Sequence, residues 1–184
     1  MKRCALVAVL VLAAPAASAA DSFYAIYIAD RNGVAPCYAR TYDAKHLAAH
    51  PDQKVVHFFL KHSEAEGMDP PKSFDLAFGF RLRDSTDSFS SEAGCAAKDD
   101  GAICAVEGDG GHFRLAPRGD GLLVTVVERL ALEGMESFSP DLMESDDRAF
   151  LLHPSPADEC LYDVLEGGDE PGGDPSAPAL TRPG

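Results

Sequence analysis

Two histidines, His46 and His50, stand four residues apart on a stretch that reads as helix. That spacing puts both imidazoles on one face, within reach of a single metal ion. His57 and His62 follow as candidate third ligands. The zinc-protease pattern places a glutamate directly after its first histidine as general base. Here Leu47 holds that place, so the spacing matches and the base is missing. The plainer account is a polar helix face at a Pro-terminated end, where a protonated imidazole favours the helix dipole.

Glu107, Asp109 and Asp120, with the glycines around them, offer clustered oxygen ligands for a calcium ion. Their spacing departs from the twelve-residue EF-hand loop, and turns requiring positive φ explain Gly110, Gly111 and Gly119 equally well. Arg118-Gly119-Asp120 spells an adhesion tripeptide that a hairpin turn also accounts for. Asp146-Asp147 reads as a solvated turn. No Gly-x-Ser-x-Gly elbow is present, and paired carboxylates for glycoside cleavage cannot be singled out among 30 acids. The sequence names no cofactor and no catalytic residue.

Five cysteines remain to be placed. Cys4 lies in an N-terminal leader, where Lys2 and Arg3 precede the apolar run Ala5 to Ala14 and small residues end at Ala20. A charged head, a short apolar core and an Ala-x-Ala exit describe a cleaved secretory signal over residues 1–20. The apolar run falls short of the roughly 20 residues that span a bilayer, so no membrane span is expected after cleavage. Cys4 precedes the apolar run, whereas a lipidated cysteine should follow it. Cys37, Cys95, Cys104 and Cys160 are then an even set in an exported chain, which implies two disulfides. Of the three possible pairings, Cys95–Cys104 is favoured because it brackets the Asp100-Gly101 turn, leaving Cys37–Cys160 to tie the start of the domain to its end.

Loss of Lys2 and Arg3 takes the formal charge from −14 to −16. So acidic a chain is unsuited to nucleic acid, whose phosphates need a basic surface, or to anionic lipid headgroups. A periplasmic or secreted location follows from the leader and the cysteines.

The elements expected to position these groups are mostly strands. Phe23 to Ala29 reads as an opening strand, and Arg31-Asn32-Gly33 as a turn. Pro36 to Thr41 is extended. Asp43 is placed to N-cap a short helix over Ala44 to His50, which Pro51 ends. Gln53 to His62 is rich in Val and Phe. From Ser73 to Arg83, alternation sets Phe74, Leu76, Phe78, Phe80 and Leu82 on one face, a period-two pattern no helix accommodates. Arg114 to Pro117 and Leu122 to Leu132 form a hairpin, and Arg148 to His153 a last strand. With no tryptophan in the chain, phenylalanine must carry much of the core. Residues 166–184 are Gly, Pro, Asp and Ser with little to bury, and read as a disordered tail. The expectation is one β-rich domain over residues 21–165, an antiparallel sandwich or barrel with one short helix, stapled by disulfides.

Several stretches resemble a group of exported bacterial proteins without an assigned activity. They are Cys37-Tyr38-Ala39-Arg40, the run from Tyr42 to Gln53, Asp109-Gly110-Gly111, and Asp146 to Phe150 followed by Cys160. The resemblance spans Pro36 to Cys160 and implies export and a shared fold, but no chemistry. The sequence therefore leads to a non-enzymatic exported domain that binds a protein or envelope component. The alternative from another class is a metal-binding protein or metal-dependent enzyme using His46 and His50.

Overall fold

The structure, a computed structural model, describes residues 22–63 and 68–161. The leader and the C-terminal tail expected from the sequence lie outside the described residues. The described residues contain eight strands: β1 Cys37–Thr41, β2 Val55–Ser63, β3 Ser73–Leu82, β4 Ser88–Lys98, β5 Gly101–Val106, β6 Gly111–Arg118, β7 Gly121–Leu130 and β8 Ala149–Ser155. Each pairs antiparallel with the next, and β8 returns to β1, so the sheet closes as an up-and-down barrel with no free edge. Of the two expected architectures, the barrel is the one formed.

Closure follows from alternation. Phe74, Leu76, Phe78, Phe80 and Leu82 of β3 all point inward and are buried. The interior is filled rather than hollow. Phe58, Phe74, Phe78, Phe80, Phe89, Phe113 and Phe150 are all fully buried, seven of the chain's ten phenylalanines, so phenylalanine carries the core. Phe58 is central, its ring centroid 4.5 Å from Phe150 and about 6 Å from Phe78 and Phe80. Offset stacking adds to the area each ring removes from water.

The tight turns use the residues that tolerate positive φ. Asn32 and Gly33 (φ 56° and 77°) turn the chain between Arg31 and Val34. Asp99 (φ 56°) turns β4 into β5 and sets Cys95 directly opposite Cys104. That pair is bonded and faces the interior. Cys37 is bonded to Cys160 across 123 residues. After β8 the chain turns back along the outer wall and forms a 3-10 turn, Ala157–Cys160. This strap covers a second, small apolar cluster of Cys37, Ala39, Phe59 and Cys160 on the outside of the barrel.

The opening segment differs from expectation. Tyr24–Ile28 is a π-helical turn, not a strand. Its alternation offered two apolar faces, and a barrel already closed by eight strands has no edge for a ninth. The segment bonds within itself, Ala29 N–H to Tyr24 O at 2.8 Å, and packs Phe23 and Ile28 into the end of the core. The helix α1 Ala44–Ala49 forms where expected, with the Asp43 carboxylate accepting the His46 N–H at 2.7 Å.

Candidate functional site

The helix brings His46 and His50 together, with ring centroids 4.4 Å apart and planes 24° from parallel. A shared ion would have to lie in the plane of both rings, whereas these stack face to face. The Tyr42 ring packs against His46, centroids 4.7 Å apart and planes tilted by 31°, and the His46 Nε2 meets Gln53 Oε1 at 3.0 Å. The Arg83 guanidinium donates to the carbonyls of Leu47, His50 and Pro51, capping the helix with positive charge beside His50. The two further histidines are engaged elsewhere. His57 bonds Thr41 Oγ1 at 2.9 Å and the Glu159 carbonyl at 3.0 Å. His62 meets Asp30 Oδ1 at 2.9 Å. Among the described residues no three His, Cys, Asp or Glu side chains gather to hold an ion.

The other sequence candidates separate. Glu107 and Asp109 lie in the β5–β6 turn and Asp120 in the β6–β7 turn, at opposite ends of an eight-residue strand, about 26 Å apart along it. Arg118-Gly119-Asp120 is a hairpin turn in which Gly119 has φ 67°, and its carbonyl accepts the Tyr27 hydroxyl at 3.3 Å.

Asp147 requires a correction. It is not solvated but 1% exposed, and its carboxylate accepts the N–H groups of Lys54 (2.7 Å) and Val55 (3.1 Å) and the Ser145 hydroxyl (2.7 Å). Asp146, its neighbour, is exposed. Both expectations rested on charge and turn position. Burial was decided by β2, which starts 92 residues away and leaves its first N–H groups pointing at this loop.

Concave features lie on the outside of the barrel. A cleft of about 210 Å³ runs beneath the strap, lined by His57, Phe59, Arg81, Ser88, Ser90 and Glu159. A wider groove of about 560 Å³ at the end near the chain's start is lined by Ile26, Tyr27, Arg31, Val34 and Asp120 among others. The phenol of Tyr38, which also lines that groove, is held above its ordinary value by burial.

At the opposite end, the loop after β7 forms a feature that the sequence reading passed over. The Asp87 carboxylate accepts the main-chain N–H of Met135, Glu136 and Ser137, each at 3.0 Å, and the Ser137 hydroxyl at 3.1 Å. These bonds, led by that from Glu136, hold the Asp87 carboxyl below the usual range. Gly134 fits because a side chain there would strike the carboxylate at 2.5 Å. Ser139 closes the base, its N–H donating to Leu132 O and its hydroxyl accepting from Leu132 N. The loop leaves Met135 92% and Phe138 73% exposed. The legible signal was two large apolar residues among Glu and Ser, but nothing local identified Asp87 as the residue holding them.

No family model, no curated protein and no solved structure matches this chain.

Proposed function

We propose that this chain is an exported, non-enzymatic domain that binds a protein or envelope partner on the outside of its barrel. The observation that carries the proposal is the filled interior. Seven fully buried phenylalanines occupy the space in which an eight-stranded barrel would otherwise hold a small ligand. Recognition is left to the rims, the loops and the outer wall. Two disulfides suit an oxidising compartment, and the resemblance to exported bacterial proteins points the same way. Among the described residues no helix is long and apolar enough to cross a membrane.

Native mass spectrometry of the protein purified gently from its own cell envelope tests this. The expected species has lost its leader near Ala20, is lighter by four hydrogens than the reduced chain, and carries a partner chain that dissociates at high collision energy. A chelatable metal retained through purification and lost on His46→Ala would replace this reading with the metal-binding one.

A further inference from the structure

Large apolar side chains scattered singly on a surface need no explanation. Met135 and Phe138 differ, because they share one short loop whose backbone is fixed from beneath. Four hydrogen bonds converge on the single carboxylate of Asp87. Gly134 admits that approach, and Gly134 and Phe138 form isolated bridges to Phe89 and Glu133. Rigid exposed anchors lose little conformational entropy when they are buried at an interface. Methionine adapts its shape and phenylalanine supplies area. Beside Phe138 lies a groove of about 280 Å³, lined by Leu82, Phe89, Pro140, Lys54 and Asp84 among others, so the loop offers a projecting pair next to a recess.

Charge selects the occupant. From Ala131 to Asp146 there are five acidic residues and no lysine or arginine. Glu133, Glu136 and Asp84 are exposed around the apolar pair. A second copy of the chain would bring like charges face to face, and an anionic membrane surface would repel the same carboxylates. We infer that the Met135–Phe138 loop is a docking tip for a protein that presents an apolar pocket rimmed by lysine and arginine. This rests on the binding reading above and gives that reading its surface and the chemistry of its partner.

Site-specific photocrosslinking tests it. A photoreactive residue is placed at position 135 of the full precursor in its own cells, with positions 26 and 161 as comparisons at the far groove and the strap. The expected result is an adduct from 135 to another protein whose crosslinked peptide lies in a Lys- and Arg-rich region. The purified partner should then bind with a Kd at least tenfold weaker for Phe138→Ala, at unchanged Tm, and weaker again as salt is raised. Asp87→Asn should weaken it too, with Met135 and Phe138 intact. An adduct from 135 to a second copy, to phospholipid, or to an acidic protein surface overturns the inference. Adducts from 26 or 161 but none from 135 also overturn it, while leaving the binding reading standing. No adduct from any of the three positions removes both.

Discussion

Asp147 and Val55 are joined by a hydrogen bond of 3.1 Å across 92 residues of sequence, with the carboxylate almost wholly buried. The same side chain takes the Lys54 N–H, so it anchors the start of β2, where the register shifts between Val55 and His57. Asp147→Ala would strand two main-chain donors and the Ser145 hydroxyl. Leaving buried groups unpaired should cost about 2–4 kcal/mol. Asp147→Asn, which keeps one acceptor, should cost less. Urea denaturation of both variants checks the order, and equal midpoints would show that the carboxylate is not the anchor.

Asp87 makes the loop after β7 sensitive to acid in a definite direction. Its folded carboxyl titrates below the ordinary Asp value because three N–H groups and a hydroxyl stabilise the ionised form. A depressed acid contributes stability above its unfolded value and loses it as pH falls through the folded one. Protection of the Met135, Glu136 and Ser137 amides against exchange, relative to the unfolded rate at the same pH, should therefore persist down to about pH 4, near the ordinary Asp value, and fall only in stronger acid. In Asp87→Asn that protection should be low at every pH.

Asp75 behaves in the opposite sense. It is buried in β3, and burial raises its pKa, with Glu92 adding to the shift and His62 opposing it. A raised acid favours folding in its neutral form, and that advantage is lost as pH rises from the unfolded value through the folded one. Asp75→Asn should raise Tm at pH 7, with the gain shrinking below about pH 4. Thermal melts at both pH values decide it. A gain of the same size at both would assign the effect to something other than ionisation.

The two disulfides should differ in worth. On the chain-entropy model a 123-residue separation contributes about 5 kcal/mol and a 9-residue one about 2.5. Replacing Cys37 and Cys160 together by alanine should lower the urea midpoint more than replacing Cys95 and Cys104. It should also loosen the strap, exposing Phe59 and widening the cleft beside His57. Faster amide exchange at Ala157 to Cys160 would report that loosening.

Phe58 is the packing test. Its ring stacks on Phe78, Phe80 and Phe150, and Phe58→Ala should cost about 3–5 kcal/mol through lost burial and a residual cavity. If the barrel interior were a ligand space rather than core, the same change would cost far less.

Features governed by neighbours in the chain were legible from sequence. The alternation from Phe74 to Leu82 gave β3 and its inward face, because side chains on a strand point to opposite sides with period two. Asp43 marked the start of α1 because a cap is a contact over three residues. The turn expected between Lys98 and Gly101, formed by Asp99 and Asp100, set Cys95 opposite Cys104 because a tight turn sets register.

What depends on closure came from tertiary structure alone. The segment from Phe23 was refused a strand's place because the β1–β8 pairing left no edge to join, and no local pattern carries that information. His46 and His50 did meet, as helical spacing requires. Whether they would face an ion or stack against each other was decided by Tyr42, Gln53 and Arg83 from outside the helix. Asp87 and Asp147 looked like ordinary surface acids because a carboxylate's role is set by the donors aimed at it. Those donors arrive from chain 48 to 50 residues distant in one case and 92 to 93 in the other, brought into range only once the barrel has closed.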